Sequence, residues 1–157
     1  MERHEEHPEP AARPAEWSMA VRATLHCLTG CAIGEVLGMV IGTALGWATL
    51  PTVLLAIALA FVFGYALTLY AVTRAGLGLG AAIGVALAAD TVSIAVMEAV
   101  DNGVLLLVPG AMEAHLDEGL FWAALAFALA VAFVVTTPVN RWLIGRGRGH
   151  AVIHRHH

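Results

Sequence analysis

The chain has 157 residues, 59% of them hydrophobic and 13% charged, with a formal net charge of −4. A soluble domain of this length carries about a quarter charged residues, so neither a soluble catalytic domain nor a nucleic-acid partner is expected. Charge is concentrated at the ends: five of the twelve acids and three of the eight arginines precede Ala23, four arginines follow Asn140, and lysine is absent. What lies between is mostly Ala, Leu, Val, Gly, Ile and Phe. This pattern predicts an all-α integral membrane bundle of about four transmembrane helices in a lipid bilayer, flanked by polar tails.

The first stretch, Met1 to Trp17, is rich in Glu, Pro and His and contains no apolar run. It is not expected to be a secretory signal, and residues 1–21 read as a disordered cytoplasmic tail. Residues 22–145 form the predicted transmembrane domain, because a spanning helix needs about 20 mainly apolar residues. Four stretches qualify: residues 23–47, closed by Pro51; 52–72, ending before Thr73-Arg74-Ala75-Gly76; 77–108, closed by Pro109-Gly110; and 120–139, followed by Asn140-Arg141. Residues 146–157 read as a second cytoplasmic tail.

The third stretch is too long to be straight and fully immersed. It would extend about 48 Å against a hydrocarbon core of about 30 Å. Its glycine-rich entrance (Gly76, Gly78, Gly80, Gly84) is expected to lie outside the core. The alternative is a break near Asp101-Asn102-Gly103.

All eight arginines fall outside the predicted spans, toward the two ends of the chain or in the second loop (Arg74), whereas the first loop is uncharged and the third carries Glu113, His115, Asp117 and Glu118. The positive-inside rule then places both termini on the cytoplasmic side of the cell inner (cytoplasmic) membrane. Trp47 and Trp122 would mark the outer interface, Tyr70 and Trp142 the inner one.

Along the first helix Gly30, Gly34, Gly38, Gly42 and Gly46 recur every four residues. Successive glycines sit within about 40° of one another, which makes a groove for close helix approach. The occupant is expected to be a helix of this chain, a second copy in a homo-oligomer, or a partner membrane subunit; room for a permeation path is the alternative use.

The same helix carries His26, Cys27, Cys31 and Glu35. At about 100° per residue, Cys27, Cys31, Glu35 and the ladder share one broad face, with His26 at its edge. Thiolate and imidazole select copper or zinc, so these four are candidate metal ligands. The bland reading is that the cysteines pack as small hydrophobes. A disulfide is not expected between two positions of one helix toward the reducing side.

The third stretch carries Asp90, Met97, Glu98 and Asp101, again on one face. No arginine lies within any predicted span, and a charged acid at a helix centre costs about 2.5–3.5 kcal/mol on insertion scales. The acids must be protonated, hydrated in a cavity or bound to a cation; the alternative is protonated acids hydrogen-bonding across helices, or Glu98 and Asp101 at the outer interface. If the third helix begins at Leu77, Glu35 and Asp90 share one depth near the midplane, with Cys31 inward and Met97, Glu98 and Asp101 outward. The tail histidines His4, His7, His150, His154, His156 and His157 are either metal gatherers at an entrance or solvated residues.

The run His26-Cys27-x3-Cys31-x2-Gly34-Glu35, the segment Asp90 to Asn102 (DTVSIAVMEAVDN) and the ending Pro138-x-Asn140-Arg141-Trp142 resemble a bacterial family of small multi-helix membrane proteins catalogued only as a domain of unknown function. The resemblance covers roughly Ala23 to His154. It implies a small multi-helix membrane protein and no particular activity.

Three function classes follow. The first is a protein that binds or transports a cation, a soft transition metal foremost, through His26, Cys27, Cys31, Glu35, Asp90, Met97, Glu98 and Asp101. The second is a structural or assembly subunit of a larger membrane complex. The third is a proton-coupled carrier using the carboxylates alone. An enzyme is not expected, because no nucleophile motif, phosphate loop or nucleotide fingerprint is present. Haem is poorly served, with His26 the sole histidine in a predicted span.

Overall fold

The computed structural model describes the backbone of residues 12–76 and 80–155, and the side chains of 16–76, 80, 83–84 and 86–146. Four helices follow in chain order: α1 (Ala12–Ala44), α2 (Thr49–Arg74), α3 (Ala81–Leu107) and α4 (Gly119–Arg155). Among the described residues α1 and α3 each touch every other helix, whereas α2 and α4 do not touch. The bundle is therefore a rhombus with α1 and α3 across its short diagonal.

The turns are written in the backbone chemistry. After α1, Gly46 adopts φ +67°, and the Gly46 and Trp47 amides donate to Thr43 and Gly42 carbonyls at 3.1 and 2.9 Å. This is a Schellman closure, which needs a left-handed residue that glycine adopts without strain. Gly46 thus serves the turn, not the ladder, and nothing lies within 4 Å of where its Cβ would be.

Gly30, Gly34, Gly38 and Gly42 pack against Gly64, Ala60, Ala56 and Thr52 of α2. A Cβ on Gly34 would run into the backbone of Ala60, so the two backbones are in direct contact. The expectation of a second copy or a partner subunit on this face is corrected: α2 of the same chain covers it. The reason is complementarity, since α2 carries its own small residues at the same four-residue interval, antiparallel to the ladder.

Among the described residues three helices are long and apolar enough to cross a membrane, over Glu16–Ala44, Thr49–Arg74 and Gly119–Arg146. α3, similar to α2 in length, carries Asp90, Glu98 and Asp101 and is not among them. Large apolar side chains such as Leu25, Leu54, Val62, Leu107, Phe127 and Val134 are exposed on the outer surface. An apolar exterior around buried polar groups is the arrangement a lipid bilayer stabilises.

Two boundaries move. The tail assigned to residues 1–21 gives way to helix at Ala12. Pro14 is tolerated because first-turn amides have no intrahelical acceptor, and this extension packs on α4, with Glu16 3.8 Å from Arg141 and the Arg141 guanidinium 4.5 Å over the Trp17 ring. Likewise α4 runs through the supposed second tail as far as Arg155. His4, His7, His156 and His157, and the side chains of His150 and His154, lie outside the described residues. The third stretch is one helix with no break at Asn102-Gly103, and it starts at Ala81.

Candidate functional site

Helices α1 and α3 run parallel, and their polar residues pair in register. Asp90 interacts with His26 and Thr68, and His26 Nε2 lies 3.3 Å from Thr68 Oγ1. One step further along, Ser93 Oγ donates to Cys27 Sγ at 3.4 Å. Cys31 next meets the Glu98 carboxyl, and Glu35 then faces Asp101. From His26 to Glu35 this seam extends about 14 Å along the helix axis.

The seam corrects two expectations. Glu35 does not share a level with Asp90; its partner is Asp101, and Asp90 sits beside His26, roughly 16 Å lower on α3. The depth match assumed a helix start at Leu77, whereas α3 starts at Ala81 and its register follows packing: Ile94 fills the space beside Gly64. The single broad face of α1 also resolves into two seams, with the glycines against α2 and Cys27, Cys31 and Glu35 against α3.

Burial along the seam is deep. Cys31, Met97 and Asp101 are fully buried, and Cys27, Ser93, Glu98 and Glu35 nearly so. Cys27, Cys31, Met97 and Ile94 belong to one core cluster with Ala60 and Ala132. Both cysteines are free thiols.

The carboxylates are incompletely satisfied. Asn102 Nδ2 donates to the Glu98 carbonyl at 2.9 Å and to Glu98 Oε2 at 3.3 Å. Glu35 Oε2, Asp90 Oδ2, Glu98 Oε1 and both Asp101 carboxylate oxygens have no hydrogen-bond partner. The cause at Glu35 and Asp101 lies in the donor inventory: ionised carboxylates only accept, so two facing ones hydrogen-bond only when one carries a proton. Among the described residues the one ion pair is Arg141–Glu16, at the far end of the bundle. The charge at Glu35 and Asp101 is thus left for a proton or a bound cation to balance.

Beyond Glu35 the seam opens into a cavity of about 140 Å³. Glu35 and Asn102 line it together with Met39, Trp47, Leu105 and Phe121, and the α3–α4 loop closes over it with Glu113 and His115. That loop is tied down by the Trp122 indole N–H, which donates to the Leu116 carbonyl at 2.8 Å, and by Ala114, packed with Phe121 and Leu125.

A family model described as "Domain of unknown function (DUF4396)" matches residues 16–149. The chain belongs to that family. No curated protein and no solved structure matches it. In this DUF4396 chain the matched region contains α1 from Glu16 onward, α2, α3, α4 as far as Gly149, and every residue of the polar seam.

Of the eight sequence-derived candidates, the structure gathers Cys31, Glu35, Glu98 and Asp101 at the cavity end, Cys27 and Met97 in the core beside them, and His26 with Asp90 at the other end. Among the described residues no group of three or more His, Cys, Asp or Glu side chains has an arrangement that could hold a metal ion. Sequence reasoning missed Ser93, Thr68 and Asn102, each of which contacts a candidate. Asn102, four residues after Glu98, was legible as a helix-face partner of that carboxylate.

Proposed function

We propose that this chain is a four-span membrane protein that takes up and releases cations, protons foremost, on the Glu35, Glu98 and Asp101 carboxylates. α3 acts as the fourth crossing, its acids turned inward on α1 and away from lipid. Both termini lie on the cytoplasmic side, so the cavity faces outward. The observation that carries the reading is the Glu35–Asp101 pair: two facing buried carboxyls without a basic neighbour, of which Glu35 lines the cavity and Asp101 lies fully buried behind it. Intramembrane carboxylates in such a setting mark ion and proton pathways. The hydroxyl, thiol and imidazole groups continuing toward His26 supply further sites for a proton to move along.

The test is proton flux in proteoliposomes containing a pH-sensitive dye, under an imposed pH gradient. Wild-type protein dissipates the gradient, and Glu35→Gln and Asp101→Asn suppress this while the protein stays folded. Flux undiminished in both variants overturns the reading.

A second reading, soft-metal binding with copper(I) or zinc, is favoured by one observation: Cys27, Cys31 and Met97 share a buried cluster. Three sulfur side chains in a dry core match the ligand preference of copper(I). Metal content of tag-free protein measured by mass spectrometry separates the readings. A Cys27→Ser/Cys31→Ser variant loses the metal if the second holds and keeps proton flux if the first does.

A further inference from the structure

A proton needs no chamber, and a hydrated metal ion gains nothing from apolar walls. The cavity above Glu35 has both. Its volume of about 140 Å³ is close to that of a cavity that holds one benzene molecule. Its walls include Met39, Trp47, Leu105 and Phe121, and its floor includes Glu35. Glu35 is only 6% exposed, and its Oε2 has no partner. A buried acceptor of this kind is costly unless something donates to it.

We infer that the cavity is a binding site for a small organic ammonium ion, a primary amine on an apolar body about the size of a benzene ring. The inference rests on the reading of Glu35 as a cation-binding carboxylate and names the class of cation. The ammonium N–H groups donate to the Glu35 carboxylate where it borders the cavity and balance its charge. The hydrocarbon part lies against Met39, Leu105 and Phe121, where burial is favourable. Trp47, at the cavity edge, offers a π face to the cation as it enters. Glu113 in the roofing loop adds negative charge at the same end, so anions are disfavoured. A neutral molecule of the same shape leaves the carboxylate charge unbalanced, and an inorganic cation leaves the apolar walls unused.

The test uses the full chain in lipid nanodiscs and isothermal titration calorimetry with benzylammonium, benzyl alcohol and benzoate. Benzylammonium is expected to saturate one site, with benzyl alcohol at least about tenfold weaker and benzoate undetectable, since a desolvated charge pair is worth more than a neutral contact. Glu35→Gln removes most of the preference for ammonium over alcohol. Thr43→Trp, at an exposed position on the cavity wall, fills the space and blocks all ligands without burying a new group in the core. Equal affinity for alcohol and ammonium, or no saturable binding by folded wild-type protein, overturns the inference, and neither result depends on a variant folding. Absence of binding with Glu35-dependent proton flux intact overturns this site alone. Binding without proton flux supports the site and removes proton exchange from the proposed function.

Discussion

Helix α1 makes two interfaces of opposite character, one with α2 and one with α3. Against α2 it is glycine on alanine along the ladder, with backbones in direct contact; the polar side chains there are Thr52, whose hydroxyl donates to its own helix at Ala48, and Thr68, 3.3 Å from His26 at the far end. Against α3 it is carboxylate, thiol, hydroxyl and amide, with several oxygens left unpartnered. The first interface has no freedom to move, because any shift of α1 toward α2 drives backbone into backbone. The second keeps groups that gain by binding something. A bilayer supplies little hydrophobic force to hold helices together, so close backbone packing on one side of α1 compensates for unsatisfied chemistry on the other. Rigidity and reactivity are divided between two faces of one helix.

The comparison breaks most visibly at Gly34. Gly34→Leu has no space to occupy, and the variant is expected to lose at least about 3 kcal/mol, the upper end for overpacking, or to fail to assemble. Thermal unfolding in detergent measures this. Gly103→Ala on α3, where nothing lies within 4 Å, serves as control; it is expected to be neutral or to gain up to about 1 kcal/mol from better helix propensity. Equal tolerance of the two changes would mean that the ladder does not hold α2.

Across the other interface the sign reverses. Asp101→Asn gives Glu35 a facing amide donor in place of a second acceptor, so stability is expected to rise by about 1 kcal/mol while proton flux falls. A variant that loses both stability and flux would show that Asp101 is a structural partner and not a site kept unsatisfied for function.

The smallest effect belongs to the far end of the bundle. Glu16 and Arg141 are 3.8 Å apart with side chains about a third exposed, and such pairs contribute about 0.2–1 kcal/mol at most. Glu16→Gln should lower the midpoint of unfolding only slightly, and less in high salt. The stronger tie there is buried: Asn140 Nδ2 donates to Thr24 Oγ1 at 2.9 Å, joining α4 to α1.

Much of this protein was legible before folding. The apolar stretches located four helices because length and hydropathy are local properties of the chain. The four-residue glycine interval announced close packing because a helix places such positions on one line. The candidate ligands were legible by type, since carboxylates and thiols inside apolar stretches stand out against their neighbours.

Which group meets which was decided only by tertiary structure. The ladder is covered by α2 because Thr52, Ala56, Ala60 and Gly64 complement it, a match between two helices that neither one specifies alone. Glu35 meets Asp101 and not Asp90 because the register of α3 depends on where it starts and on Ile94 fitting beside Gly64. The helical tails follow the same rule: Glu16 and Trp17 read as solvated residues until α4 brings Arg141 beside them. The cavity above Glu35 depends on the α3–α4 loop folding back over the bundle, and no local pattern encodes that. A sequence states what each helix has to bury, and the fit of the other three helices selects the partner that buries it.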